Sequence, residues 1–286
     1  MPDLSWLFHL ASLFPLEGMD MRFMQQALVA LCLLAPMTAA LGVQVIHYRM
    51  AFFSDAVGHS AFAGVAIGLV LGVHPHISMP VFGLAVGLCI MFLQRFSALP
   101  PDTVIGVVFS AVVASGLAVV SRDNTLARDL QQFLYGDILT LTETDICWLL
   151  ALFAAFVLFQ ALAFNRLLYA GTSRVIAKAH RVPAALCEYL FAALLALVVM
   201  FSVWSVGVLL VTALLIVPGA AARSLARSAG GMFWWAIAVG LLSAVTGLAL
   251  SVQPWMHTAA GATIILVACG CFLLSVIAAS LRSEIR

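Results

Sequence analysis

Apolar positions in this chain come in long runs, separated by short clusters that hold most of the charge. A run of about 20 apolar residues is what a helix needs to cross the hydrocarbon core of a bilayer. On that measure the pattern predicts helices over 24–46, 50–73, 77–96, 103–121, 146–164, 186–203, 207–222, 232–252 and 262–280. The sixth and seventh are short, and Gly207 and Pro218 interrupt the region. A broken or re-entrant hairpin is therefore the alternative there, and the pattern admits seven to nine spans. Thr142-x-x-Asp145 has the form of a capping box opening the fifth helix. Asp102, after two prolines, suits the N-cap of the fourth.

Composition turns these runs into a fold class. Of 286 residues, 64% are hydrophobic and 9% charged, against about a quarter charged in soluble domains. The expected architecture is all-α, a polytopic integral membrane helical bundle. Net charge is +1, which leaves no electrostatic footprint for nucleic acid. The six cysteines, Cys32, Cys89, Cys147, Cys187, Cys269 and Cys271, lie in apolar runs with no C-x-x-C pair. They read as small buried hydrophobes. The first apolar patch, Leu4 to Leu16, lacks a basic leader and is followed by Glu17. Residues 1–20 are thus expected to form an interfacial segment rather than a cleaved signal. With no repeat or low-complexity linker, residues 21–286 read as one transmembrane domain.

Lys and Arg accumulate on the cytoplasmic side of membrane proteins. Counting alternate loops for nine spans gives one side Arg49, Arg95, Arg166, Arg174, Lys178, Arg181, Arg223, Arg227, Arg282 and Arg286; the other has Arg22, Arg122 and Arg128. Ten against three places the N-terminus outside and the C-terminus in the cytoplasm. The basic stretch 165–185 becomes the largest cytoplasmic connection, and the polar segment 122–145 is external.

One pair breaks the apolar pattern. In "FFSDAVGHSAFAG", Asp55 and His59 are at i and i+4, on one helix face a turn apart. His59 lies roughly 13 Å into its span at 1.5 Å per residue. An ionised side chain near the bilayer centre costs at least about 2.5–3.5 kcal/mol. Water, a partner charge or a metal must offset that. Gly64, Gly68 and Gly72 form a small-residue ridge on the opposite side, of the kind that lets membrane helices approach closely. One reading has Asp55 simply fixing the His59 tautomer. The other gives the pair a ligand role. Carboxylate plus imidazole suits zinc, manganese or ferrous iron and not soft Cu(I). One carboxylate leaves a dication uncompensated, so two chains related by a two-fold axis are expected to supply two of each ligand.

Other chemistries are excluded or weak. The single lysine, Lys178, is followed by Ala179, so no G-x-x-x-x-G-K-[ST] phosphate loop exists. Any ATP hydrolysis then belongs to a separate subunit. H-E-x-x-H is absent, and "GHSAF" ends in Phe62 where a nucleophile elbow needs glycine. Two rivals remain: a self-sufficient secondary transporter in which Asp55 and His59 relay protons, and a non-transport membrane enzyme or scaffold.

Four blocks, "FFSDAVGHSAFAGVAIGLVLG", "DTVIGVVFSAVVASGLAVVS", "FLYGDILTLTETDI" and "VGVLLVTALLIVPGAAARSLARS", resemble in that order the permeases of bacterial zinc/manganese/iron ABC importers. The resemblance implies a multi-pass protein of the bacterial inner membrane that pairs with a second permease copy. It implies two cytoplasmic ATP-binding subunits and an external metal-binding solute-binding protein as partners. It implies Zn2+, or Mn2+ or Fe2+, as a transported substrate, with no permanently bound cofactor. The family's metal-path residues match Asp55 and His59, and its external segment matches Tyr135, Gly136 and Asp137. Its ATPase-contacting segment matches residues 172–184, including Lys178, His180 and Arg181. The family often has glycine where His180 stands, and its late "PAATA" reads Pro218-Gly219-Ala220-Ala221-Ala222 here. Its Asp-x-Pro-x-Gly reads His257-Thr258-Ala259-Ala260-Gly261.

His74 and His76 flank Pro75 in an external turn; they are either loop histidines or a point of metal capture that tilts the choice toward zinc. His257 is a further external candidate. Asp137 is either the next carboxylate an entering ion meets or a turn residue. His9, His47 and His180 read as interfacial or solvated.

Overall fold

In hydrocarbon every backbone N–H and C=O must be satisfied within the chain, and a helix does this segment by segment. The computed structural model describes residues 7–8, 20–121, 138, 141–253, 256 and 258–284. They form α1 (Arg22–His47), α2 (Phe53–Val70), α3 (Pro75–Phe96), α4 (Pro101–Val120), α5 (Glu143–Thr172), α6 (Arg174–Ala179), α7 (Ala184–Val206), α8 (Val208–Leu225), α9 (Ala229–Ser251) and α10 (Ala260–Glu284). Among the described residues, nine helices, all but α6, are long and apolar enough to cross a membrane. Most of segment 1–20, Tyr135, Gly136, Asp137 and His257 lie outside the described residues.

The hairpin alternative gives way to two full-length helices. α7 has 23 residues and α8 has 18, and only Gly207, with φ +85°, separates them. A side chain is disfavoured at that dihedral, so glycine is what permits the break. α5 has 30 residues, about 45 Å at 1.5 Å per residue. It outruns the ~30 Å hydrocarbon core and absorbs residues 165–172, which the hydropathy pattern assigns to a loop.

The capping box forms. The Thr142 N–H donates to Asp145 Oδ2 at 3.0 Å, and the Asp145 N–H donates to Thr142 Oγ1 at 3.3 Å. Asp102 does not cap: α4 begins at Pro101 with Pro100 before it and no side-chain cap. Its carboxylate sits in the first turn, where it opposes the positive end of the helix dipole. The glycine ridge is shorter than expected, because α2 ends at Val70 and Gly72 turns the chain at φ +69°.

The chain divides into two compact units. The first holds the described residues of Met1–Val43, Asp137–Ala155 and Leu209–Arg286. Its helices meet through small side chains: Ala39, Ala222 and Ala236 are fully buried together with Val43. A Cβ on Gly240 would stand 2.9 Å from the Ala39 Cβ. A Cβ on Gly42 would collide with the Leu215 carbonyl. Arg22 pairs with Glu143, a contact exposed enough to add little.

The second unit, the described residues of Gln44–Gly136 and Phe156–Val208, contains α2, α3, α4, α6 and α7. It also holds a buried amide pair: Gln44 Nε2 donates to Gln160 Oε1 at 2.7 Å. Gln44 Oε1 and Gln160 Nε2 have no partner. Such a pair holds because the alternative is two amides in an apolar interior.

Two stability outcomes follow. Gly42→Ala is expected to lower stability in detergent by about 2–3 kcal/mol through overpacking against backbone. Gly106→Ala, with nothing within 4 Å of the added Cβ, is expected to leave thermal unfolding unchanged; equal melting curves for both variants would disprove the packing assignment. Gln44→Leu alone strands the Gln160 amide and should cost about 1–3 kcal/mol. Adding Gln160→Leu should recover most of that loss, and a double-mutant cycle with no coupling would contradict the pair.

Candidate functional site

The packing of α2 singles out one line of its surface. Between Phe53 and Gly68 every residue is buried except Asp55, His59, Phe62 and Ile67. At about 100° per residue the first three fall within roughly 60° of one another. The remaining surface of α2 is covered by three helices of its own unit. On the side opposite Asp55, a Cβ on Gly64 would lie 3.0 Å from Phe82 Cβ and 3.3 Å from Met79 Cα of α3. To one flank, Gly58 faces Val199 and Val203 of α7. To the other, Phe62 and Ala63 pack against Gly116 of α4, where a Cβ would lie 2.7 and 3.1 Å away. Asp55 is thus half-buried in the gap left between α4 and α7.

His59 leans on the α4 side of that gap. Its ring meets Phe109 edge to face, with centroids 5.5 Å apart at 76°. The contact orients the imidazole through its carbon skeleton and leaves both ring nitrogens uncommitted. Among the described residues, neither His59 nor the Asp55 carboxylate makes a side-chain hydrogen bond. The simple tautomer-fixing reading, in which the two bond each other, finds no such bond here. Two adjacent ligand groups without protein partners, on the one open line of a packed helix, can accept a cation or protons. Phe109 has no polar signature and was missed in the sequence. Its position seven residues after Asp102 on a neighbouring span carries no hint of the contact.

His74 and His76 come together at the start of α3. His74 is the N-cap, and its Nδ1 accepts the His76 N–H at 3.4 Å. The rings lie nearly parallel at 17° with centroids 5.3 Å apart. His76 also packs on Trp204 of α7, centroids 3.8 Å apart. Capping and aromatic packing thus account for both residues, while the Nε2 side of His74 stays exposed. Among the described residues, no group of three or more His, Cys, Asp or Glu stands ready to hold a metal. The described candidate ligands therefore lie in separate pairs.

The segment after α5 carries the third candidate set. Ser173 caps α6, its Oγ accepting the Val175 N–H at 3.2 Å. Lys178 is exposed in the last turn, His180 is the C-cap, and Arg181 takes φ +54° to turn the chain into α7. The His180 ring lies flat on Tyr169 of α5, centroids 4.6 Å apart at 3°. His180 is thus a stacking residue that ties α6 back to the end of α5. On the same end of the unit, the Tyr48 hydroxyl donates to the Leu167 carbonyl at 2.9 Å. Burial, with the Glu188 carboxylate close by, pushes that hydroxyl's pKa well up.

Comparison with known proteins agrees with this architecture. Residues 20–279 match the model of the ABC 3 transport family. The high-affinity zinc uptake system membrane protein ZnuB of Haemophilus influenzae is 32% identical over 87% of this chain and 95% of its own length. The manganese transport system membrane protein MntC of Halalkalibacterium halodurans is 33% identical over 88% of this chain and 86% of its own. The solved structure of PsaBC from Streptococcus pneumoniae in complex with Fab superposes with a TM-score of 0.76 at 31% identity, covering 90% of this chain and 91% of that one. An inward-facing ABC transporter structure shares the fold, with a TM-score of 0.67 at 19% identity. A matched model over nearly the whole length, together with relatives above 30% identity, settles the assignment. The chain is a multi-pass membrane protein of the ABC 3 transport family.

Proposed function

We propose that this chain is the membrane-spanning permease subunit of an ATP-driven importer of a divalent transition metal, zinc above manganese or iron. The observation that carries this reading is the pair Asp55 and His59 on the one unburied line of α2. A dication pausing there meets one carboxylate and one imidazole. A second identical chain across a two-fold axis doubles both, giving four ligands and neutral charge. Oxygen and nitrogen donors without thiolate bind zinc, manganese or iron loosely enough for release. Zinc is favoured by the two imidazoles at the start of α3, in the turn that an entering ion passes first. Relatives whose names specify zinc and manganese match this chain about equally, so the comparisons favour neither, and the preference for zinc rests on ligand chemistry.

The rest of the assembly follows from what the chain lacks. With no phosphate loop of its own, it relies on two cytoplasmic ATP-binding subunits, which engage the 165–185 region through Lys178, His180 and Arg181. A solute-binding protein delivers metal to the external face, near His74 and His76 and, outside the described residues, Asp137. The distribution of Lys and Arg supports an external N-terminus and a cytoplasmic C-terminus, in a bacterial inner membrane. α5 runs from the external side to the α6 connection, and His180 stacked on Tyr169 gives a rigid path for movement between them.

In the reconstituted complex, Asp55→Asn and His59→Gln are each expected to cut metal uptake to below roughly a tenth, as loss of one ligand does, with ATP-binding subunits still co-purifying. Uptake at the normal rate in both variants would remove the pair from the path. In competition assays Zn2+ is expected to block radiolabelled zinc uptake at lower concentration than Mn2+ does, and the reverse order would assign manganese instead. Uptake by the chain without ATP-binding subunits, driven by a pH gradient, would decide for the proton-coupled rival.

A further inference from the structure

The imidazole of His59 is oriented by a ring where a hydrogen bond is the usual device. Histidines that ligate metals generally donate their second ring N–H to a carboxylate, carbonyl or water, which fixes the ring. Among the described residues no carboxylate or carbonyl takes such a bond from His59. The terminal torsion of a histidine is broad and two-fold, so an imidazole without that bond swings unless packing stops it. Phe109 of α4 supplies the stop. The ring centroids lie 5.5 Å apart at 76°, the edge-to-face geometry that aromatic pairs prefer.

Helix α4 is packed so as to keep that ring in place. Its residues Ile105, Val108, Val112 and Gly116 are buried, at steps of three and four that define one helix face. Phe109 borders this face and is half-buried. Gly116 follows it by seven residues, close to two full turns, and so lies on the same side of α4. A Cβ on Gly116 would stand 2.7 Å from Phe62 Cδ1 and 3.1 Å from Ala63 Cα. That approach sets α4 directly on α2, so Phe109 cannot draw back from His59 unless the helices separate.

An aromatic brace restricts a ring without occupying either of its nitrogens. Ordering a free side chain is a cost of binding, and a side chain ordered beforehand removes it. The gain goes to the ion that relies on the nitrogen donor. Imidazole suits zinc, whereas manganese is served by carboxylate, carbonyl and water oxygens. Bracing His59 therefore acts on the difference between the two ions. Asp55, the oxygen donor of the pair, serves both.

We propose that Phe109 is a positioning residue that acts through His59 to set the preference of the transport path for zinc over manganese. This rests on the reading of Asp55 and His59 as the metal pair. Phe109 itself offers no donor atom to an ion.

The test compares half-saturating zinc and manganese concentrations for uptake by the reconstituted complex. Phe109→Leu removes the ring and keeps an apolar side chain. It is expected to raise the zinc value about fivefold, the effect of one aromatic pair, and the manganese value by less than about twofold. Phe109→Tyr keeps the ring and is expected to keep the zinc-to-manganese ratio. Phe92→Leu, which removes an exposed ring from α3, is expected to change neither value. In a His59→Gln background, adding Phe109→Leu is expected to leave the ratio for residual uptake unmoved, because no imidazole remains to be positioned. Equal losses for both ions in Phe109→Leu, or a ratio shift that persists without His59, would give Phe109 a packing role only and overturn the proposal. A separate measurement needs no transport: the NMR signals of the His59 ring in the detergent-purified chain are expected to move in Phe109→Leu and stay in Phe92→Leu. Signals unmoved by Phe109→Leu overturn the brace. Melting curves exclude unfolding, and Phe109→Ile repeats the test should the leucine form be unstable. Full uptake by His59→Gln removes the metal pair and this proposal with it. Lost uptake in His59→Gln with an unchanged ratio in Phe109→Leu overturns this proposal alone.

Discussion

Partly removing the Asp55 carboxylate from water is costly, and the packing of α2 leaves open the line on which it stands. Asp55 stands in the first turn of α2, where the positive end of the helix dipole favours a carboxylate, but a half-buried ionised aspartate in a span still needs water, a cation or a proton donor beside it. Between Phe53 and Gly68, α2 meets this by burying everything except Ile67 and the line that carries Asp55, His59 and Phe62. Were that line covered too, the aspartate would have to be neutral. Were more of the helix open, the neighbours would no longer fix where the pair faces. Confinement to one gap is what converts a polar accident into a positioned pair.

Small residues make the confinement possible. In lipid, helices gain no hydrophobic drive toward each other, and association rests on close van der Waals approach. Gly58, Gly64 and Gly116 each sit where an added Cβ would press on Val208 at the start of α8, on α3 or on helix α2 itself. In the first unit, Gly42, Gly240 and Gly247 do the same for α1 with α8, α1 with α9, and α9 with α10. The same device thus serves two ends. In one unit it closes helix faces against each other, and in the other it leaves a single seam open by closing all the rest.

How much of this was legible in the sequence depends on the range of the interaction that decides each feature. Span number followed from hydropathy, which is a property of each segment alone. The Thr142–Asp145 box followed because its partners are three residues apart. The Asp55–His59 pair followed because i and i+4 share a face whatever surrounds them. The role of Asp102 did not, since the helix starts at Pro101, two residues earlier than expected, which turns a cap into a first-turn charge. Gly72 looked like a fourth-residue continuation of the ridge, yet the helix had already ended at Val70. Phe109 beside His59, the Gln44–Gln160 pair, and the stacking of His180 on Tyr169 were hidden for one reason: each joins residues from different helices, and no pattern within a single run encodes its partner. The two glutamines were at least conspicuous, as amides within apolar runs, and that rarity was the signal available.

The choice of one carboxylate and one imidazole per chain bears on how a conduit differs from a reservoir. A closed set of four strong ligands within one chain would bind a dication with free energy it could not return, because structural metal sites draw on the folding energy of the chain itself. Among the described residues here, no three candidate ligands converge. Splitting the set between two chains, as proposed above, would tie affinity to the distance between them, so that a small separation removes half the ligands at once. In the proposed pairing of two chains, an ion would bind when the halves approach and be freed when they part, with no change in either chain's chemistry. That makes weak, divided coordination a requirement of the proposed task. It also explains why thiolates, although six cysteines are available, take no part in the pair.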